Sequence, residues 1–238
     1  MTGDVVDLTG ISRSYGALRP LRIEHLAVGR GESVAILGLD RGASEIFVNL
    51  VTGATLPESG SAAAFGTPTA GIADSDAWLA FADRFGIVSE RAVLLDSLSP
   101  IQNISMPFTL EIEPPPGEVR TRATVLAREA GLPEALLDRA VGELDPIARA
   151  RVRVARALAL APEILLVEHL SAGMARSDAA SLGGTLRATA ARRGIAIVTL
   201  TADRAFAAAI ADRVLTHEAA TGRLRPAGPL GWLRHRLG

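Results

Sequence analysis

The stretch that most constrains the fold is residues 144–168, LDPIARARVRVARALALAPEILLVE. From Arg151 to Leu158 the apolar residues recur at helical spacing, and Pro162 cannot continue that helix because it lacks a backbone N–H. Residues 163–168 then form a short apolar run that ends in a carboxylate, which favours a buried strand. A helix followed at once by such a strand is typical of an α/β protein.

The remaining pattern agrees with this class. A mostly β region extends to about residue 37, and strands then alternate with helices, which predicts a mostly parallel core sheet flanked by helices. Residues 89–144 are largely helical in pattern, with helices expected over 120–131 and 133–141. The three prolines at 114–116 cannot lie inside a helix, so we expect a linker there. The length of 238 residues suits a single domain over 1–238.

A second informative segment follows the predicted strand Ser33 to Leu37. It is GLDRGASE, residues 38–45, which leads into an apolar helix over 46–51. Together with residues 144–168, it resembles the ATP-binding cassette (ABC) ATPases, in which an LSGGQ signature precedes a helix of the form QRVAIARAL and a strand of the form ILLLDEP. The resemblance implies the ABC-ATPase fold, a P-loop NTPase-like architecture, with residues 89–144 as its inserted helical subdomain.

The phosphate-binding loop of that family is altered in this chain. All 25 basic residues are arginine, so the lysine of G-x-x-x-x-G-K-[ST] is missing. Ala43 replaces the second glycine, Ser44 stands at the lysine and Glu45 at the magnesium-binding hydroxyl. A carboxylate facing a phosphate adds repulsion, on the order of 4 kcal/mol for unit charges about 4 Å apart at an effective dielectric near 20. The matching positions are Gly38, Leu39, Asp40, Arg41, Gly42, Ala43, Ser44 and Glu45, of which Arg41 can lend some positive charge.

Further family positions are implied by the resemblance. Tyr15 matches the aromatic that stacks on adenine, although a ring packed on the first sheet explains it equally well. Glu90 takes the place of a loop glutamine that precedes an apolar pair. The signature is replaced by Leu144, Asp145, Pro146, Ile147 and Ala148. Asp145 brings a negative charge there, and Pro146 removes a backbone N–H.

The catalytic positions are replaced as well. Glu168 stands at the magnesium-binding aspartate and keeps a hard carboxylate oxygen, so it remains a possible metal ligand. His169 stands at the catalytic glutamate, and Ala202 stands at the histidine that contacts the γ-phosphate. An alanine cannot hydrogen-bond a phosphate, and His169 is explained more simply as a solvated or hydrogen-bonded histidine than as a general base. We therefore predict no catalytic residue and doubt that the ATP and Mg²⁺ of the family are bound.

Two other features allow alternative interpretations. Arginines at 149, 151, 153 and 156 could neutralise nucleic-acid phosphates, but the net charge is −1 and aromatic residues make up only 4% of the chain. We expect no nucleic-acid partner. The C-terminal GWLRHRLG could form an amphipathic turn at a membrane or partner surface, although a packed terminal helix is the simpler explanation.

Composition and hydropathy indicate where in the cell the protein is expected. There is no cysteine, which excludes disulfides and thiolate metal sites, and the four histidines have no metal-ligand spacing. No run of about 18 apolar residues and no leader pattern is found, so we expect a cytoplasmic protein. If it acts as ABC domains do, it is held at the inner face of the cell membrane by a permease.

These expectations lead to three functional hypotheses. The first is a degenerate ABC-transporter subunit that associates with a membrane permease and with a second ABC domain as a homo- or heterodimer, with ATP binding weak or lost and hydrolysis absent. The second is a working ATPase subunit that has rebuilt its site with Arg41, Glu168 and His169. The third is a cytoplasmic scaffold outside transport. The apolar residues of 89–106, namely Val93, Leu94, Leu95 and Ile104, favour retained permease docking.

Overall fold

The protein is described by a computed structural model over residues 3–227. The C-terminal GWLRHRLG and its predicted turn or helix lie outside the described residues. The strands are β1 (Val6–Arg13), β2 (Leu21–Val28), β3 (Ser33–Leu37), β4 (Ser59–Ala64), β5 (Thr67–Pro68), β6 (Phe85–Val88), β7 (Ile164–Glu168), β8 (Ala196–Thr201), β9 (Arg213–Glu218) and β10 (Arg223–Pro226). The α-helices are α1 (Arg41–Val51), α2 (Ser75–Ala82), α3 (Pro100–Ser105), α4 (Gly117–Glu129), α5 (Pro146–Ala157), α6 (Arg176–Arg193) and α7 (Arg204–Ile210).

The strands form two sheets. An antiparallel sheet has the order β2-β1-β4-β5, and a six-stranded sheet has the order β10-β9-β3-β8-β7-β6. In the second sheet every pair except β9 and β10 is parallel. The predicted α/β architecture with a mostly parallel core sheet is therefore confirmed.

The central strands are buried on both faces, which explains why their sequences are continuously apolar. All five residues of β3 and of β7 are buried. Alternate residues point to opposite sides, so that Leu165 and Val167 pack with helices α3 to α7, whereas Ile164 and Leu166 pack with α1 and the antiparallel sheet. Helix α1 is thus held between the two sheets.

The expected helical region is less regular than predicted. Helix α4 begins at Gly117, directly after the proline run, as the linker prediction requires. The helix expected over 133–141 was wrong, because that stretch has only a 3₁₀ turn at Glu134–Leu136, and a second such turn follows at Val141–Glu143. The Val141 N–H donates to the Leu98 carbonyl at 2.9 Å instead of to its own turn. The stretch therefore keeps local 3₁₀ bonds and ends on a tertiary bond to the preceding segment.

Within the described part of the chain, no helix combines the length and the apolar character needed to cross a bilayer.

Candidate functional site

The candidate site lies where the parallel strands end. Because β3, β6, β7 and β8 run in the same direction, the residues that follow them meet at one edge of the sheet, where α/β proteins usually bind ligands. A cavity of about 260 Å³ opens at this edge. Its lining consists of Arg41, Gly42, Glu45, Ser89, Glu90, Arg91, Glu168 and His169.

The loop after β3 is shorter than expected. We expected residues 38–45 to precede the helix, but α1 already begins at Arg41, with Asp40 as its N-cap. The Asp40 carboxylate accepts the Ala43 N–H at 2.7 Å, and the Asp40 carbonyl accepts the Ser44 N–H at 2.9 Å. Two N–H groups that a phosphate loop directs at its ligand are therefore bonded within the chain.

The glycine and apolar positions of this loop are mostly structural. Gly38 has φ 95°, a left-handed conformation that favours glycine, and it lies against the His217 carbonyl. Leu39 and Ala43 are buried and pack in the core beside α1.

Tyr15 lies against the start of α1. Its hydroxyl donates to the Asp40 carboxylate over 3.3 Å, and a β-carbon on Gly42 would come within 3.0 Å of the ring. Burial raises the pKa of the phenol, and the neighbouring Asp40 carboxylate raises it further, so the hydroxyl stays a donor. The ring packs against the core below the antiparallel sheet, which supports the packed interpretation of this residue.

Arg91 makes the central contact of the cavity. One terminal nitrogen of its guanidinium lies 3.0 Å from a Glu45 oxygen, and the other lies 2.5 Å from Oε1 of Glu168. The Glu168 side chain is only 6% exposed, whereas that of Arg91 is 42% exposed. A single guanidinium therefore bridges two carboxylates, one of them almost fully buried.

Two further contacts occupy the remaining polar side chains. Arg41 pairs with Glu90 at 2.9 Å on the exposed rim. Nε2 of His169 lies 3.0 Å from the hydroxyl of the fully buried Ser44. His169 itself has φ 45°, a left-handed conformation that histidine adopts more readily than most residues, and its N–H is held by the Leu200 carbonyl at 2.8 Å.

Helix α5 holds the other side of the segment that carries Glu90 and Arg91. Arg149 pairs with Asp96 at 2.7 Å, and Arg156 donates to the carbonyls of Ala92 and Val93 at 2.7 and 2.8 Å. Two arginines of the cluster considered for nucleic-acid binding thus have internal partners. Residues 89–96 are consequently fixed between α1 and α5.

The remaining predicted positions lie apart from the cavity lining. Asp145 is the N-cap of α5 and accepts the Ala148 N–H at 2.8 Å, and Pro146 is the first helical residue. Asp145 and Pro146 are exposed, Ile147 is half-buried, and Leu144 and Ala148 are buried. Ala202 is exposed directly after β8.

The residue that the sequence did not single out is Arg91. It directly follows Glu90, and no pattern in the chain indicates that its side chain turns back to join Glu45 and Glu168. The available signal was the position of Arg91 beside a predicted site with an excess of carboxylates, which indicates that an arginine is needed there to balance their charge.

Comparisons with known proteins give consistent relatives. No protein-family model matches the chain. The lipoprotein-releasing system ATP-binding protein LolD of Bordetella pertussis is 32% identical over 234 residues, covering 94% of this chain and 97% of LolD. The methionine import ATP-binding protein MetN of Brucella abortus is 26% identical over 211 residues, covering 89% of this chain, which spans only 56% of the length of MetN.

Solved structures share the fold. The cbiO1 protein of Clostridium perfringens, part of the ABC transporter complex cbiONQ, superposes with a TM-score of 0.79 at 21% identity, covering 98% of this chain and 92% of cbiO1. A dimeric ATP-binding cassette, MJ0796, in a post-hydrolysis state bound to ADP and Pi, gives a TM-score of 0.73 at 21% identity, with coverage of 92% and 96%. The architecture is that of an ABC cassette.

Proposed function

Because this chain belongs to the ATP-binding subunits of ABC transporters, we propose that it is a degenerate member of that family. In this proposal it serves a transporter as a structural or regulatory subunit, with ATP binding weak or lost and hydrolysis absent. It associates with a membrane permease and with a second ABC domain, and it lies at the inner face of the cell membrane through that permease. Neither the transported substrate nor the direction of transport enters the proposal.

The observation that supports this proposal is that the residues aligned with the family's phosphate loop are bonded to one another. Asp40 accepts the Ala43 N–H at the start of α1, where a helix N-terminus otherwise attracts a phosphate. Two arginines in the cavity face three glutamates, so the lining does not supply the excess of positive charge that a triphosphate needs. The absence of any lysine removes the usual partner of the β and γ phosphates.

The family's Mg²⁺–ATP fits these residues poorly. In P-loop NTPases a hydroxyl of the loop and an aspartate after the strand hold the ion, and the matching positions here are Glu45 and Glu168. Both are engaged by Arg91.

A rebuilt ATPase site receives less support. It would need Arg41 and His169 to face the nucleotide, but Arg41 pairs with Glu90, and His169 contacts the buried Ser44. An apolar, uncharged surface near the signature position would favour the scaffold hypothesis, but exposed Asp145 and the ion pair between Arg139 and Glu143 make that surface charged.

Retained docking to a permease is supported by the segment 89–96. Val93 is 68% exposed and Leu95 is 46% exposed, although both are apolar. Leu94 and Ile104, which we had grouped with them, are buried in the core and cannot contact a partner. The segment 89–96 is held by ion pairs and hydrogen bonds to α1 and α5 and exposes two apolar side chains. These features suit binding of a partner protein better than movement in response to a nucleotide.

The test is ATP binding by the native protein and by a variant that restores the loop. The variant combines Ala43→Gly, Ser44→Lys and Glu45→Ser, and the matched control carries Glu45→Ser alone. We expect calorimetry with MgCl₂ to detect no binding by the native protein up to millimolar ATP, and to detect binding by the triple variant but not by the control. Micromolar binding by the native protein would overturn the loss of nucleotide binding.

Association with a permease is tested separately. Val93→Asp and Leu95→Asp place charges on the exposed positions, and Leu110→Asp, at a fully exposed position elsewhere, is the control. We expect the first two changes to reduce co-purification with the cognate permease in membranes and the control to leave it unchanged. Equal retention of all three variants would argue against this docking surface.

A further inference from the structure

The arrangement around Arg91 differs from an ordinary surface ion pair. Its guanidinium is shared by Glu45 of α1 and Glu168 at the end of β7, two elements separated by more than a hundred residues of chain. The carboxylate of Glu168 is almost removed from solvent. An ionised carboxylate at such a position needs a compensating cation, because burying an unpaired charge is costly.

The two carboxylates that Arg91 bridges occupy informative positions. In P-loop NTPases the residue at the Glu45 position and the residue at the Glu168 position together hold the catalytic magnesium ion. Because Arg91 contacts both of these side chains, its guanidinium lies between the two positions that hold the ion in P-loop NTPases. The guanidinium contacts Glu45 through one terminal nitrogen and Glu168 through the other.

We infer that the Arg91 guanidinium is a built-in replacement for the divalent cation of this site. It rests on the proposed function, because it explains how a subunit that has given up Mg²⁺–ATP keeps its ligand edge intact. Arg91 joins α1 to β7 as the metal does in an active relative, without a nucleotide or a metal ion. The same side chain belongs to the segment that α5 fixes through Arg149 and Arg156.

No group of three or more His, Cys, Asp or Glu side chains in the described part of the native chain is arranged to hold a metal ion, and we expect a divalent ion to bind between Glu45 and Glu168 only when Arg91 is removed. Glu45 and Glu168 supply two hard oxygen ligands, and the half-exposed Glu90 borders the same cavity. Removing the guanidinium leaves this carboxylate group without its central cation, and a small divalent ion is the species that best restores the balance. In the native protein, by contrast, Arg91 fills the space between the two carboxylates, so we expect no divalent ion to bind there.

The experiment uses metal alone, without nucleotide. Thermal unfolding is recorded in MnCl₂ or MgCl₂ and in NaCl of matched ionic strength, for the native 238-residue protein and for Arg91→Met. We expect the native Tm to be the same in all salts. We expect Arg91→Met to melt at a lower temperature in NaCl and to regain about 4 °C when the divalent ion is at roughly ten times its Kd.

Three variants make the result specific. Arg41→Met removes the neighbouring guanidinium but leaves the bridge, so its Tm should not respond to divalent ions. The double change Arg91→Met with Glu168→Gln removes a ligand and should abolish the response. Arg91→Lys keeps a charge but not the fork and should respond weakly, and it serves as the folded test case if Arg91→Met does not accumulate.

The inference would be overturned in either of two ways. One is Mn²⁺ binding by the native protein, detected by electron paramagnetic resonance and lost in Glu168→Gln. The other is a folded Arg91→Met or Arg91→Lys variant whose Tm is indifferent to divalent ions. Nucleotide binding by the native protein without a metal would refute the proposed loss of ATP binding but would leave the role of Arg91 standing, so the two failures are distinguishable.

Discussion

The two ends of strand β7 carry glutamates in opposite charge environments. The carboxylate of Glu163, just before the strand, forms ion pairs with Arg84 at 2.6 Å and with Arg30 at 2.8 Å. Glu168, the last residue of the strand, has one arginine, which it shares with Glu45. One carboxylate thus faces two cations, whereas two carboxylates face one.

The difference separates a structural ion pair from an altered ligand site. At Glu163, the hydrogen bond from Arg84 is the largest contribution that lowers the pKa of the carboxyl, and Arg30 lowers it further. That cluster is complete, and it lies at the end of the sheet where α/β proteins do not usually place ligands. At Glu168, negative charge remains in excess at the ligand edge, which agrees with the inferred replacement of a divalent cation by the monovalent guanidinium of Arg91.

The largest effect is expected for Arg91→Met. It leaves the buried Glu168 carboxylate without a charged partner, which costs about 3–5 kcal/mol for a fully buried pair. Because Arg91 is 42% exposed and water can enter, we expect about 2–3 kcal/mol less stability. Urea unfolding at neutral pH and without divalent ions measures this loss.

The matched control is the pair of changes Arg91→Met and Glu168→Gln. Removing the charge that Arg91 compensates should recover part of the stability, since the neutral amide is easier to bury. If the double variant is as unstable as the sum of the two single variants, Arg91 and Glu168 are not coupled and the comparison fails at this end of β7.

A smaller effect is expected for Glu163→Gln at the other end. The three side chains are about one-third to two-thirds exposed, so solvent screening reduces the loss to about 1 kcal/mol. The lowered pKa of Glu163 also fixes the sign of the pH dependence. The unfolded carboxyl binds protons first as the pH falls, so the stabilisation is complete above about pH 4.3 and is lost as the pH falls through the folded pKa.

Acid unfolding checks this sign. Native protein should lose stability more steeply below about pH 4.3 than Glu163→Gln, and the two curves should converge at the acid end. The control is Arg187→Gln, which breaks the exposed pair with Asp212 and leaves the contacts of Glu163 in place. Parallel curves for the native protein and Glu163→Gln would show that the carboxyl titrates normally.

Much of this framework could be predicted from the sequence because burial on both faces leaves a plain pattern. Strand β3 is a fully apolar run after the turn at Gly31, and β7 is one after Pro162, and both were predicted to within a residue. The helix over 133–141 was wrong because local bonds there close only 3₁₀ turns, while the N–H groups of Val141 and Gly142 donate to Leu98 and Asp96, and local pattern carries no information about such tertiary bonds.

The site was predictable by position and less so by contact. The resemblance assigned 38–45, 90, 168 and 169 to nucleotide-binding, metal-binding and catalytic positions, and six of these residues line the cavity. The early start of α1 could have been predicted from Asp40, which is a good N-cap residue. The resemblance instead led us to expect a loop over residues 38–45. The destination of Arg91 was not predictable, because a long flexible side chain has no sequence periodicity to follow.

A further prediction concerns Ser44, which links α1 to His169 beside the ion-pair bridge. Ser44→Ala removes the hydroxyl that lies 3.0 Å from Nε2 of His169. His169 is half-buried and can turn to water, so we expect about 1 kcal/mol of lost stability and no change in the response to divalent ions. Urea unfolding measures the loss, and Ser14→Ala, at an exposed hydroxyl, is the control. A loss as large as that of Arg91→Met would place the key contact at His169 instead.

The smallest effect is expected for Arg41→Ala, at the rim of the same cavity. Arg41 and Glu90 are 71% and 49% exposed, so their pair contributes at most about 0.5 kcal/mol and is screened by salt. By urea unfolding, the native protein should have a slightly higher free energy of unfolding than the variant at low salt. In 0.5 M NaCl the two values should be the same. A large, salt-resistant loss would mean that the rim pair contributes as much as Arg91 to the link between α1 and the segment 89–96, and the distinction between one buried bridge and its exposed neighbour would no longer hold.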